Sequence, residues 1–229
     1  MSNMFDRLEL LIGNENLNKL KNTHVLVLGL GGVGGYAVES LVRSGIGEIT
    51  IVDSDTIDIT NINRQIIATS ENIGKYKTEE FKKRIYSIRK DIKVHTITKF
   101  IEENNIDLIV NNNIDFIIDA CDSIKTKQVL IKKCLDLDIS FITCTGTGNR
   151  LNPSALKITY LNKTSGDPVA KILRKYIRDN NINANIPCVC STEVPKRKGK
   201  VISSNSFVPP SAGLLLASYV INKIIKEDL

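Results

Sequence analysis

Gly29-Leu30-Gly31-Gly32-Val33-Gly34 follow directly on the apolar run of residues 24–28, a spacing suited to holding a phosphate. Where a strand runs into a glycine-rich turn and then a helix, backbone N–H groups and the positive helix end face one point and stabilise an anion there. Glycine serves in such a turn because a Cβ would block the phosphates and because the chain needs positive φ angles. Asp53 ends the apolar run 49–52, about 20 residues beyond the last glycine, where a doubly wound fold offers a carboxylate to a ribose hydroxyl. These residues alone indicate a nucleotide. Asn61-Ile62-Asn63-Arg64-Gln65 narrows the reading, because a nicotinamide-dependent oxidoreductase has no need of an arginine there and an enzyme that handles a triphosphate does.

These side chains need a frame that brings strand ends together. Residues 5–20 carry apolar positions at helical spacing broken at Gly13, which predicts two short helices. Residues 24–28, 48–52, 93–99, 114–120 and 139–144 read as strands, and 34–44, 78–87 and 124–135 as helices. That alternation implies βαβ units and an α/β, Rossmann-like, doubly wound and mostly parallel sheet with helices on both faces. After Cys144 the pattern loosens. Residues 155–161 predict a strand, Asp167-Pro168 opens a basic helix, and Pro209-Pro210-Ser211 opens an apolar helix to about Ile225. Residues 180–200 show no periodicity and predict a mobile loop of the kind that orders over substrate. The expectation is a single domain over residues 1–229, with a nucleotide-binding core at 1–150 and a substrate-binding extension and closing helix at 151–229.

Composition fits a globular protein. The chain has 229 residues, long enough to bury a real core, with 42% hydrophobic and 24% charged residues. Five cysteines without a C-x-x-C pair read as reduced thiols, and Met1–Arg7 carries charges and lacks the apolar core of a signal peptide, so the expected location is cytoplasmic. The apolar stretch 212–221 is too short to span a bilayer, so no membrane association is expected. A net charge of +6 permits a polyanionic partner. Lys171, Arg174, Lys175 and Arg178 recur on one helical segment, and Lys196, Arg197, Lys198 and Lys200 form a dense run. Two readings stay open for them: a solvated helix face plus a loop, or contact with the phosphates of a nucleic acid.

Five spaced elements carry a resemblance: Gly29…Gly34, Asp53-Ser54-Asp55, Thr60-Asn61-Ile62-Asn63-Arg64-Gln65, Gly74-Lys75-Tyr76-Lys77 and Asp119-Ala120-Cys121-Asp122-Ser123. In order and spacing they resemble the ubiquitin-activating-enzyme-like adenylating family, which includes the molybdopterin and thiamine sulfur-carrier activators. The resemblance implies ATP and Mg²⁺. Gly29, Gly31, Gly32, Gly34, Asp53 and Asp55 would bind the nucleotide, with Asp53 on the ribose. Asn61, Arg64 and Lys77 would surround the triphosphate, and Asp122 would hold Mg²⁺. Arg7 matches an arginine that the family supplies in trans from the other subunit of a homodimer. Attack of a carboxylate on the α-phosphate builds negative charge and expels pyrophosphate, and cations stabilise that charge.

Within the family, Ser44-Gly45-Ile46-Gly47, Gly146-Thr147-Gly148-Asn149, Asp167-Pro168 and Cys188-Val189…Ser191-Thr192-Glu193 extend the resemblance over nearly the whole chain. This run is similar to the tRNA threonylcarbamoyladenosine dehydratase branch. That branch implies a tRNA partner and ATP-dependent dehydration, by cyclisation, of N6-threonylcarbamoyladenosine through an acyl-adenylate. The sulfur-carrier activators instead adenylate a small ubiquitin-like protein and usually hold a structural zinc on two C-x-x-C pairs. Cys188-Val189-Cys190 lacks that spacing, so no structural zinc is expected. Cys188 matches a cysteine of the dehydratase branch. It could be a nucleophile or accept sulfur from a cysteine desulfurase system, or it could simply pack.

Overall fold

The structure is a computed structural model that describes residues 3–196 and 201–226. Its elements run α1 (Asp6–Lys21), β1 (His24–Leu28), α2 (Gly34–Arg43), β2 (Glu48–Val52), α3 (Lys77–Ile88), β3 (Lys93–Ile97), β4 (Phe116–Asp119), α4 (Ile124–Asp136), β5 (Ser140–Cys144), β6 (Leu156–Tyr160), α5 (Pro168–Asp179), β7 (Pro187–Ser191) and α6 (Val208–Ile225). Gly13 interrupts α1 at φ +81°, so the two helical segments expected before β1 are present.

The seven strands form one sheet in the order β3-β2-β1-β4-β5-β7-β6. All pairs are parallel except β6 with β7. From β1 the chain winds outward through β2 and β3, then crosses back to β4 and continues the other way. The carboxyl ends of β1 and β4 therefore flank the switch point, where an open α/β sheet leaves a crevice for a ligand. Both faces of the sheet are covered, by one apolar cluster that includes Val27, Ile49, Leu41 and Leu216 and another that includes Leu26, Ile117, Leu130 and Leu173.

In this sheet β7 corrects the expectation of a loop over residues 180–200. It is inserted between β5 and β6, and four of its five residues are buried. Its Val189 packs into one cluster while Cys188 and Cys190 pack into the other. A strand covered on both faces shows no period-2 alternation, and cysteine and serine conceal its apolar character. Pro187 sits at the strand start, where a missing N–H does least harm.

The closing helix α6 is long and apolar enough to cross a membrane by length and composition, more than the stretch 212–221 implied. Half of that window is buried in the protein, and α6 packs on α2 so closely that a Cβ on Gly213 would overlap the Val33 carbonyl.

Candidate nucleotide-binding active site

The glycine turn is shaped by contacts that exclude side chains. Gly29 takes φ +88°, and a Cβ there would lie 2.8 Å from the Ala120 carbonyl oxygen and the Cys121 nitrogen. Gly34 abuts the Gly29 carbonyl, which a Cβ would overlap. The turn after β1 is thereby pressed against the turn after β4, and the chain enters α2 with its N-terminal N–H groups facing the crevice. Gly32 lies where Arg64 and Pro209 approach, and Gly31 lies beside Gln65.

Asp53 anchors the next wall. Its Oδ2 accepts from the Leu30 N–H at 2.6 Å and its Oδ1 from the Asp55 N–H at 2.8 Å. Burial pushes its carboxyl above the usual value, partly offset by the Lys77 charge and these two N–H groups. Lys77, the first residue of α3, is buried, with Nζ 2.8 Å from Asp55 and 3.8 Å from Asp53. A buried ammonium between two carboxylates is not a solvated helix residue.

Asn61 works through the backbone. Its side-chain oxygen accepts from the Asp58 N–H at 3.1 Å, closing a capping box with Asp58, while its carbonyl accepts the Arg64 and Gln65 N–H groups. That turn presents Arg64, whose Nη1 donates to the Thr60 carbonyl and Asn63 Oδ1 at 2.9 Å each. The remaining guanidinium N–H groups make no hydrogen bond among the described residues. Gln65 is buried, and its Oε1 is a buried side-chain acceptor without a partner among them. Such an acceptor costs about 1–3 kcal/mol unless a ligand donates to it. An unpartnered acceptor, a cradle closed to Cβ atoms, and cations facing carboxylates together fit a nucleotide.

Asp122 is exposed at the turn after β4 and makes no hydrogen bond or ion pair among the described residues. Ser123, not Asp122, caps α4, its hydroxyl accepting from the Thr126 N–H at 3.3 Å. A carboxylate free of capping duty beside the phosphate cradle is a hard oxygen donor suited to Mg²⁺. Beneath it, buried Asp119 lies 3.0 Å from Lys127 Nζ and accepts the Thr143 hydroxyl at 2.6 Å and the Cys121 N–H at 3.2 Å. Burial, the largest single influence, lowers the Lys127 pKa, but the Asp119 charge and hydrogen bond together with Cys121 and Cys144 outweigh it and hold the ammonium above its usual value. Lys127 escaped sequence reasoning, although a signal existed: it shares the buried stripe of α4 with Leu130, Ile131 and Cys134 at helical spacing.

The remaining predicted residues lie elsewhere. Arg7 is exposed on α1, with no ion pair among the described residues linking it to the crevice. Cys188 is fully buried in β7, and burial pushes its thiol strongly upward. A nucleophile or sulfur acceptor needs an accessible thiolate, so the burial of this thiol favours the packing reading. Lys171, Lys175 and Arg178 are exposed on α5, but Arg174 is half-buried and donates to the Thr164 carbonyl at 3.0 Å and to the Thr164 hydroxyl. Lys196 is exposed, and Arg197, Lys198 and Lys200 lie outside the described residues.

A doubly wound sheet with a glycine turn, a buried carboxylate and cations gathered at its switch point is the architecture of a nucleotide-binding protein. Residues 5–227 match the model of the ThiF family, and the chain belongs to that family. A Bacillus subtilis protein named tRNA threonylcarbamoyladenosine dehydratase is 38% identical over 99% of this chain and 96% of its own length. A Haemophilus influenzae protein of the same name is 36% identical over 93% of this chain and 90% of its own. The crystal structure of Escherichia coli tRNA N6-threonylcarbamoyladenosine dehydratase, TcdA, in complex with ATP superposes with a TM-score of 0.93 at 32% identity, covering 97% of this chain and 94% of that one.

Proposed function

We propose that this protein is an ATP-dependent tRNA-modifying enzyme that dehydrates N6-threonylcarbamoyladenosine to its cyclic form. The observation that supports the reading is that Asp53 with Lys77, Arg64, and the turn that carries Asp122 all border one glycine turn. The high coverage of relatives named for this activity supports it. The glycine turn and Asp53 hold ATP. The threonyl carboxylate of the tRNA nucleoside attacks the α-phosphate, pyrophosphate leaves, and an acyl-adenylate forms. Arg64 and Lys77 stabilise the charge that develops, an effect of about 3 kcal/mol per group in comparable sites. The adenylate is then captured within the same nucleoside and AMP leaves, so water is lost overall at the cost of one ATP. Because the attacking group is tethered beside the activated carbonyl, no protein nucleophile is required, consistent with a buried Cys188. Mg²⁺, when bound, neutralises phosphate charge, and Asp122 is the residue that would hold it.

The enzyme acts in the cytoplasm as a homodimer in which Arg7 reaches the partner's site. Leu10 and Leu11, 89% and 81% exposed on the same helix, are the apolar surface that supports this arrangement. The exposed cations Lys171, Lys175, Arg178 and Lys196 contact tRNA phosphates, with Arg197, Lys198 and Lys200 continuing the basic run. The test is AMP release from ATP with Mg²⁺: it should require tRNA carrying the threonylcarbamoyl group. AMP release driven instead by a carrier protein ending in Gly-Gly would contradict this reading.

A further inference from the structure

The chain contains two histidines, and both lie in one cluster at the opposite end of the sheet from the nucleotide cradle. His24 opens β1, Glu48 opens β2, and His95 is the third residue of β3. The register pairs His24 with Glu48 and Thr50 with His95, which puts all four side chains on one face. The four steps from His24 to Leu28 separate this edge from the glycine turn by about 13 Å. His95 Nε2 is 2.8 Å from Glu48 Oε1, and His24 Nδ1 is 3.7 Å from the same oxygen. Beside them opens a cavity of about 520 Å³, lined also by Leu108, Asn111 and Asn113.

The hydrogen bonds around His24 make its Nδ1 the informative atom. Its Nε2 lies 2.8 Å from the Thr50 hydroxyl, and its Nδ1 lies 2.8 Å from the Asn113 carbonyl oxygen. With the proton on Nδ1 the ring donates to the Asn113 carbonyl and accepts from the Thr50 hydroxyl; a metal ion bound at Nδ1 would take that proton's place and leave Nε2–H to donate to Thr50. An outer-shell hydrogen bond of this kind fixes the tautomer of a metal-ligating histidine. Lys93 Nζ, 3.4 Å from Glu48, contacts Oε2 and leaves Oε1 to the histidines.

We propose that His24, Glu48 and His95 form a binding site for a divalent transition-metal ion of the zinc class. Two imidazole nitrogens and a carboxylate oxygen are donors that suit such an ion and leave a fourth position open to the cavity. The site is independent of the nucleotide cradle. It is tested by titrating Zn²⁺ into the reduced, metal-free full chain by calorimetry, and Co²⁺ by visible absorption. The expected result is one ion per chain with a cobalt spectrum free of thiolate charge transfer. His95→Ala, at an exposed position, and Glu48→Gln should each weaken binding by more than about tenfold, with ATP affinity unchanged. Three results would overturn the proposal: no stoichiometric binding, binding that survives both substitutions, or a thiolate band placing the ion on the cysteines.

Discussion

At Asp122 the carboxylate is exposed and unpartnered among the described residues, while Ser123 caps the helix and the Asp119–Lys127 pair sets the turn. Asp122→Ala should therefore change stability by no more than about 0.5 kcal/mol, as for other surface substitutions. Turnover should fall by a factor on the order of 100 or more, the loss expected when charge stabilisation at a reacting phosphate is removed. Thermal melting and AMP release measured on one preparation decide it, and near-normal turnover would leave Asp122 a surface carboxylate. Asp53 makes a prediction in pH. Burial raises its pKa above the usual 3.8, so on acidification the folded protein takes up this proton before the unfolded chain does. Its contribution to stability accordingly declines as pH rises through the window between the usual and the raised value. Nucleotide affinity follows the opposite course, because the ribose hydroxyl needs the carboxylate as acceptor. ATP affinity should weaken as pH falls through that window, and Asp53→Asn should flatten this acid limb. A wild-type acid limb that persists unchanged in Asp53→Asn would remove Asp53 from the ribose.

At the scale of elements, the sequence was most legible where each element has its own signal. The apolar runs 24–28 and 48–52 coincide with β1 and β2, because they end at a glycine turn and an aspartate. Asp167-Pro168 announced α5 through a cap and a first-turn proline, and the Asp167 side chain does accept from the Ala170 N–H at 2.8 Å. β7 was not legible, since its burial depends on neighbours more than 25 residues away in sequence, among them Leu156 and Lys157 of β6. The same long-range logic hid Arg150. Its Nη2 lies 2.6 Å from Asp167, both side chains are at most 1% exposed, and its Nε donates to the Glu193 carbonyl. One side chain thus ties the turn after β5 to the start of α5 and the end of β7. Arg150→Ala would leave Asp167 buried without its partner, and urea denaturation should show a loss of about 3–5 kcal/mol. A loss below about 1 kcal/mol would mean that the extension is held by its apolar contacts alone.

For the whole molecule, the question is whether Arg7, exposed on α1, completes the site of a second copy. The glycine motif and the five-element pattern made the cradle readable, but no spacing within one chain reveals what a second copy contributes. If Arg7 acts in trans, mixing inactive Arg7→Ala chains with inactive Asp122→Ala chains should restore turnover, because one site of each mixed dimer then holds both residues. Verified mixed dimers without recovery would place Arg7 outside the partner's site. The most direct test of the account as a whole is mass spectrometry of nucleosides from tRNA incubated with the protein, ATP and Mg²⁺. N6-threonylcarbamoyladenosine should lose the mass of one water, with AMP and pyrophosphate formed in equal amount and no conversion without ATP. Unchanged nucleoside under conditions where the protein binds both ATP and the modified tRNA would contradict it.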